Sequence, residues 1–230
     1  PFLIPFLLIM AIGPKLKWIK SNLEDKIYLI TLLVVSILLS ILIVKNFSSN
    51  FLINTILISG AFYLFFITLR DFFSKGFKNL AQNTAHFGFS LLILSILFNN
   101  LFSTETITNL KVGETFENAK TKIIFENISQ KEEKNYKSII AEFTIQDSKG
   151  EMENLSPELR IYNQPNIVTS EADIKTTLLS DKFIVINMVP NQELFNVRYQ
   201  VKPFMLWIWI SVILISVGGL LSFTKKEYEK

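Results

Sequence analysis

The stretch IYLITLLVVSILLSILIV at residues 27–44 contains no charged residue and decides the fold class of this chain. A helix needs roughly 20 residues to cross the hydrocarbon core of a bilayer, so this run is about long enough to span it. Residues 51–69, 79–98 and 203–223 are similarly apolar, and residues 1–13 (PFLIPFLLIMAIG) predict the end of a further, truncated span. Inside lipid the backbone must satisfy its own hydrogen bonds, so all of these runs are predicted to be α-helices.

The composition agrees with a membrane protein and excludes several kinds of site. Hydrophobic residues make up 50% of the 230 residues, and phenylalanine occurs 21 times, which suits surfaces that face lipid. The net charge of +3 does not indicate nucleic-acid binding, because the basic residues lie at the ends of the apolar runs. The chain has no cysteine, which excludes disulfides, thiolate metal sites and cysteine nucleophiles within it.

The basic residues beside the apolar runs predict which way the chain crosses the bilayer. They follow the first, third and last runs, and alternation places these segments on one side: Lys15, Lys17, Lys20, Lys26, Arg70, Lys75, Lys78, Lys225, Lys226 and Lys230. The positive-inside rule makes that side cytoplasmic. The long segment 103–202 is therefore predicted to be extracytoplasmic.

This long segment has the alternating pattern of half-buried β-strands. Apolar and polar residues alternate in AEFTIQ at 141–146, which is followed by a DSKG turn, and again in FNVRYQV at 195–201. Residues 122–128 and 182–189 are further strand candidates, and residues 132–135 predict a charged hairpin tip. Six to eight short strands in about a hundred residues indicate a small barrel or sandwich.

The sequence therefore predicts a polytopic α-helical membrane protein with an extracytoplasmic all-β domain inserted before the last transmembrane helix. Transmembrane helices occupy residues 1–102, and a periplasmic β-rich domain occupies residues 103–202. The last transmembrane helix and a cytoplasmic tail occupy residues 203–230.

The candidate functional residue is His86, the one histidine of the chain, inside the fourth apolar run. At about 100° per helical residue, it shares one face with Asn79, Gln82, Asn83 and Ser90. A polar stripe on a transmembrane helix normally faces the bundle interior or a cavity. A neutral imidazole there is a good axial ligand for haem iron, and Asn83 and Ser90 flank it as candidates to orient its second nitrogen.

His86 also has a purely structural interpretation, in which it only hydrogen-bonds to a neighbouring helix. Membrane haem ligands usually come in pairs on facing helices, and this chain offers no second histidine. Either the partner precedes Pro1 or the structural interpretation holds.

Small and aromatic residues in the last apolar run are explained without catalysis. Trp207 and Trp209 are typical of an interfacial aromatic belt, which we favour over a stacking platform for a porphyrin. Ser211, Gly218 and Ser222 share one helix face, a pattern that suits close helix packing.

The outer segment offers little chemistry, and we assign it no catalytic residue. It has no histidine for a Ser-His-Asp triad and no phosphate-binding loop. Its acidic pairs, Glu151 with Glu153 and Glu171 with Asp173, alternate as exposed strand residues would.

Three stretches resemble the C-terminal part of the CcmF family of cytochrome c-type biogenesis haem lyases. They are TAHFGFSLLILSI (84–96), SPELRIYNQPNIVTSEADI (156–174) and FNVRYQVKPFMLWIWISVILISVGGLLSF (195–223). The order of these stretches also resembles that of the family. A histidine-bearing span comes first, then an outer β domain, and then a span that contains KPF, two tryptophans and GG. The related lyase subunit of nitrite reductase assembly is similar in the same respects.

The resemblance implies a haem lyase subunit that joins haem covalently to apocytochrome c. The resemblance places it in the bacterial inner membrane or an organellar inner membrane, where lipid surrounds its helices and its β domain is periplasmic. It implies that the haem chaperone CcmE and CcmH-type thiol-handling subunits are partners. It also implies a structural haem b between two transmembrane histidines, the second of which lies in an AHFG-like segment. That segment makes His86 the expected axial ligand of the haem iron.

Some features of the family are missing from these 230 residues. The tryptophan-rich WWD segment, two outer haem-binding histidines and the other transmembrane ligand are expected before Pro1. The resemblance thus implies that this chain supplies half of a haem b site and an outer domain, and is inactive by itself. The alternative is a non-catalytic membrane scaffold that presents a β domain for partner binding. A transporter fragment ranks last, because the complete spans lack interior proline and no repeat is evident.

Overall fold

A computed structural model describes residues 2–13, 26–47, 50–74, 79–119, 121–147, 150–190 and 192–224. Apart from Lys26 and Arg70, the basic residues that predict the orientation lie outside these ranges, as do Ser148 and Lys149 of the predicted DSKG turn. The chain forms two compact units, a helical unit of Pro1–Phe102 with Phe204–Lys230 and a β unit of Ser103–Pro203.

The helical unit contains five helices in the described ranges: α1 Leu3–Ile12, α2 Lys26–Phe47, α3 Phe51–Ser74, α4 Leu80–Phe102 and α5 Met205–Thr224. Among the described residues, the last four are long and apolar enough to cross a membrane. The side chains of α2 are mostly exposed in the isolated chain, as expected of a surface that faces lipid.

Helix α3 is the most enclosed element of the helical unit. Its residues Ala61, Leu64 and Ile67 are almost completely buried, and Leu7 of α1 packs on it. A Cβ built on Gly60 of α3 would lie 3.4 Å from Leu7 Cδ1, which is ordinary contact. Helix α4 also packs on α3, so α3 supports the helix that bears His86.

The β unit contains ten strands in its described residues. They are β1 Thr104–Leu110, β2 Thr115–Glu117, β3 Thr121–Glu132, β4 Tyr136–Asp147, β5 Met152–Leu155, β6 Glu158–Tyr162, β7 Ile167–Glu171, β8 Asp173–Thr176, β9 Ser180–Met188 and β10 Phe195–Pro203. One sheet has the order β1-β10-β9-β8, and the other has β2-β3-β4-β6-β7 with β5 paired to β4. The strands in both sheets pair antiparallel.

The two sheets share one hydrophobic core, so the domain is a sandwich and not a barrel. The rings of Phe125 and Phe143 stack at 4.4 Å between centroids in one sheet, and Ile184, Ile186 and Val197 face them from the other. Helices that can span a bilayer, together with this β domain, confirm the predicted fold class.

One strand departs from the predicted alternation. Val197 and Tyr199 of β10 are buried as expected, but the polar Gln200 is also buried, at 5% exposure. Its amide donates a hydrogen bond to Glu105 Oε1 on β1 at 2.7 Å. This bond satisfies an amide that would otherwise be costly to bury.

Candidate functional site

His86 lies in the second turn of α4, whose start is fixed by Asn79. This residue has φ +64, in the left-handed region that asparagine tolerates better than most residues. The Asn79 carbonyl accepts the Asn83 N–H at 2.9 Å, which makes the first helical hydrogen bond. The local sequence thereby sets the rotation of α4 and the direction of its polar stripe.

A crevice of about 410 Å³ lies between α4 and α5 and is bordered by His86. The imidazole is half-buried there. Most of the other lining residues are small or polar: Asn79, Ala81, Gln82, Ala85, Ile215, Gly218, Gly219 and Ser222. The imidazole therefore faces open space that large side chains do not fill.

Glycines let α4 and α5 approach each other on both sides of His86. A Cβ on Gly218 would lie 2.6 Å from Ala85 N, and a Cβ on Gly88 would lie 2.9 Å from Ile215 N and 3.0 Å from Ser211 O. The predicted packing role is confirmed for Ser211 and Gly218, whereas Ser222 is exposed and borders the crevice. The position of α5 beside His86 is therefore fixed by backbone contact.

The matching residues of α4 were not singled out from the sequence. Ala81, Ala85 and Gly88 recur at spacings of four and three residues, which places them on one helix face. A helix face of small residues allows another helix to approach closely. Because α5 also carries small residues on one face, this spacing predicts that α5 packs on this face of α4.

The polar stripe of α4 is divided between two neighbouring helices. Asn83 Nδ2 donates to the Asp71 carbonyl of α3 at 3.2 Å, and Ser90 Oγ lies 2.7 Å from Thr68 Oγ1 of α3. Adjacent helical residues point about 100° apart, so Gln82 lines the α5 side while Asn83 faces α3. The hydrogen bonds of Asn83 and Ser90 go to α3 and to the backbone of α4, so their orienting role toward the His86 ring stays a prediction.

Phe87 fixes α4 to α3 next to His86. Its ring stacks on that of Phe72 with centroids 5.3 Å apart and lies 5.8 Å from that of Phe65. Aromatic pairs of this kind contribute about 0.5–1.5 kcal/mol beyond the area that they bury. Residue 87 thus faces the packed seam while residue 86 faces the crevice.

The tryptophans of α5 lie away from this crevice. Trp209 is 62% exposed, Trp207 is half-buried, and neither residue lines the crevice. Trp207 and Gly218 are eleven positions apart, which is about 16 Å along a helix. They are therefore not a stacking platform for a group bound beside His86.

Three of the four acidic side chains in the pairs of the β unit have structural partners. Glu153 is largely buried, not exposed as expected, and its Oε1 accepts from Lys182 Nζ at 2.8 Å. Asp173 Oδ2 accepts the Ser156 N–H at 2.6 Å, and Glu171 accepts from Thr169. No group of acids and histidines that suits a metal ion is present among the described residues.

Two carboxylates of the β unit are held in their charged form. Hydrogen bonds from Arg198 and Gln200 lower the pKa of Glu105. Burial would raise the pKa of Glu158, but hydrogen bonds from Ser138 and Arg160 outweigh it and lower that pKa. Both carboxylates therefore act as fixed anions within the sheets and not as proton carriers at neutral pH.

Comparisons with known proteins agree with this architecture. Residues 101–203 match the family model described as the CcmF C-terminal beta-sandwich. The cytochrome c-type biogenesis protein CcmF of Haemophilus influenzae is 26% identical over 97% of this chain and 37% of its own length. The "Probable cytochrome c-type biogenesis protein NrfE" of Escherichia coli is 28% identical over 71% of this chain and 30% of its own length.

A solved structure, titled "Cytochrome c Heme Lyase CcmF", has the same fold. It superposes with a TM-score of 0.71 and 18% sequence identity over 94% of this chain and 38% of that chain. The predicted resemblance to the CcmF proteins is confirmed, and the chain spans 30–38% of the length of these three relatives.

Proposed function

Because the chain is similar to CcmF proteins through both its helices and its β domain, we propose that it is the C-terminal part of a membrane haem lyase in cytochrome c maturation. The observation that carries this proposal is the extent of the similarity, which covers 97% of the chain. The proposed place is the bacterial inner membrane or an organellar inner membrane, with the β unit on the periplasmic side. The basic residues on the opposite side of the spans support that orientation.

In this proposal His86 is an axial ligand of a haem b. Imidazole is a common axial ligand for haem iron, and this imidazole is half-buried on the wall of a crevice of about 410 Å³. The crevice fits one side of a flat apolar group, because alanine and glycine line it and a Cβ on Gly219 would meet nothing within 4 Å. The chain has one histidine, so the second ligand comes from another segment.

The residues around His86 have positioning roles in this proposal. The close contact of Gly218 with Ala85 holds α5 beside the imidazole, and the stacked ring of Phe87 prevents α4 from turning. Asn79 and Gln82 place amide groups at one end of the crevice, where they suit the carboxylates of a haem edge. When bound, the haem supplies an iron that changes oxidation state and keeps the substrate haem reduced.

The lyase reaction adds a cysteine thiol of apocytochrome c across a haem vinyl group. Most of its acceleration is expected from holding thiol and vinyl in the right geometry. The proposed partners are therefore the haem chaperone CcmE, CcmH-type subunits that present the thiols, and apocytochrome c itself. Since the chain spans 37% of the length of its CcmF relative, the remaining part of the protein is needed for activity.

The test is a reduced-minus-oxidised optical spectrum with haem quantitation on the purified full-length protein. We expect His86→Ala to lose the b-type signal while Ile96→Ala, at a 45% exposed position on the same helix outside the crevice, retains it. External imidazole is expected to restore part of the signal to His86→Gly, which a purely structural role would not allow. Equal haem in the His86→Ala variant and the parent protein would refute the ligand role and leave the scaffold alternative ahead.

A further inference from the structure

The turn between β8 and β9 has two leucines at its tip. The Thr177 N–H donates to the Ser180 carbonyl at 2.9 Å, and the Ser180 N–H donates to Thr177 Oγ1 at 3.1 Å. Between them, Leu178 and Leu179 are 61% and 64% exposed. Tight hairpin turns normally carry Gly, Asn or Asp, because these residues accept the backbone conformations that such turns require. Two adjacent exposed leucines at such a tip indicate a contact with something apolar.

This turn lies at the end of the sandwich that is joined to the helices. Strand β9 pairs with β10 so that Ser180 is opposite Pro203, and β10 pairs with β1 so that Val201 is opposite Thr104. One residue separates Thr104 from the end of α4, and one separates Pro203 from the start of α5. Both covalent connections to apolar helices therefore leave from this end of the sheet.

The leucines extend beyond the last paired residue of β10. Ser180 is the first residue of β9 and is opposite Pro203, so residues 178 and 179 project past it. At a rise of about 3.3 Å per strand residue, the tip projects on the order of 3–7 Å. The leucines are thus among the outermost residues of this end of the domain.

Strands β8 and β9, which flank the turn, have no net charge, so their charge does not oppose contact with lipid. They contribute Lys175 and Lys182 together with Asp173 and Asp181. Lys182 lies 2.8 Å and Lys175 lies 3.7 Å from Glu153 Oε1. A neutral support with an apolar tip suits the boundary between lipid headgroups and acyl chains.

The opposite end of the domain provides a comparison. Strand β4 runs from Tyr136, which pairs with the β6–β7 hairpin, to Asp147, which is opposite the first residue of β3. Asn118, in the turn after β2, donates a hydrogen bond to Thr106 Oγ1 near the start of β1. Because β1 follows α4 directly, Asp147 lies at the end of the domain that is connected to the helices. The β6–β7 turn at the other end reads NQPN at 163–166, a polar tip. The two turns therefore differ in the residues of their tips, and the exposed Ile167 and Val168 follow the polar turn within β7.

We propose that Leu178 and Leu179 insert into the interface of the lipid bilayer and support the β domain on the membrane surface. The two leucines supply the apolar contact, and the covalent connections at the same end of the sheet bring them to the membrane. This role concerns the position of the domain and does not depend on haem.

Site-directed fluorescence quenching tests the proposal in full-length protein freed of any native cysteines. An environment-sensitive fluorophore is attached at Leu179→Cys, and phosphatidylcholine vesicles carry a nitroxide just below the headgroups. Ile213→Cys, 61% exposed on α5, gives the value for lipid, and Val168→Cys, 58% exposed on β7, gives the value for water. We expect a blue-shifted emission at position 179 that the nitroxide lipid quenches, and no quenching at position 168.

Two results would overturn the proposal. Emission at position 179 that matches position 168 would mean that the turn is in water. Emission that is blue-shifted but unquenched would mean that another protein covers the leucines and not lipid. Because the label replaces an exposed side chain, the fold is expected to persist, and the haem spectrum of the labelled protein reports on it separately.

Discussion

Gly218 of α5 lies so close to Ala85 of α4 that a Cβ at position 218 would stand 2.6 Å from the alanine nitrogen. No side chain larger than hydrogen fits at that position unless the helices move apart. The crevice beside His86 therefore depends on this contact, because it sets the distance between the two helices that form its walls.

Replacing Gly218 is expected to separate α4 from α5. Gly218→Val should lower the free energy of unfolding by about 1–3 kcal/mol, since inserted methyl groups force a backbone shift. The matched control is Gly219→Ala, because a Cβ there meets nothing within 4 Å. Thermal unfolding in detergent and the haem content of the full-length protein measure both effects. Equal losses in the two variants would contradict a specific contact at Gly218.

The hydrogen bond between Thr68 and Ser90 should couple α3 to α4. Their hydroxyl oxygens lie 2.7 Å apart in a buried position. Interhelical hydrogen bonds in membranes contribute about 0.6 kcal/mol on average, so a double-mutant cycle should give a coupling of that size. The cycle combines Thr68→Val and Ser90→Ala and is read by unfolding in mixed micelles. Strictly additive effects would show that the two hydroxyls do not stabilise each other.

Removing the ring of Phe143 should destabilise the sandwich. The ring is 1% exposed and stacks on Phe125. Phe143→Ala should lower the free energy of unfolding of the domain by about 3–5 kcal/mol, because it leaves a cavity in the core. Met152→Ala, at a site that is 67% exposed, is the control and should change stability little. Hydrogen exchange of peptides from the domain reports the difference in the full-length protein.

The β domain should lose stability in acid. The pKa values of Glu105 and Glu158 are lowered from an ordinary 4.5. A carboxyl whose folded pKa is lowered stabilises the fold above its unfolded pKa, and this contribution is lost as pH falls through the folded value. Stability should therefore be constant above about pH 5 and decline below pH 4.5.

Hydrogen exchange between pH 3 and pH 7 measures this dependence, with correction for the change of the intrinsic exchange rate with pH. Glu105→Gln should flatten the decline, because the amide does not titrate. Glu142→Gln, on the exposed side of β4, serves as the matched control. An unchanged acid profile in Glu105→Gln would assign the decline to other carboxyls.

The sandwich was largely predictable because its core follows strand periodicity. Ala141, Phe143 and Ile145 alternate in the sequence and are all buried. The pattern fails in β3, where the register shifts between Phe125 and Asn127. Such a bulge inserts an extra residue and reverses the alternation after it, and local sequence does not reveal its position.

The candidate site was predictable only in part. The helical repeat alone placed His86 on a polar face of α4, but it did not say which helix covers each part of that face. Asn83 and Ser90 bond to α3 while Gln82 and His86 face the α5 crevice, because helices approach α4 from two directions. A stripe about 100° wide is broad enough to be divided between two neighbours.

The helices that can span a membrane, the β-rich domain between the last two of them and the resemblance to CcmF proteins were all predictable from the sequence. These features depend on run length, alternation and local motifs, which are written along the chain. Three relationships became visible in the folded chain. The two sheets form a sandwich, small residues of α4 meet Gly218, and the β8–β9 leucines share one end of the domain with both helix connections. Those relationships join residues far apart in sequence, and packing and strand register set them, not local preference.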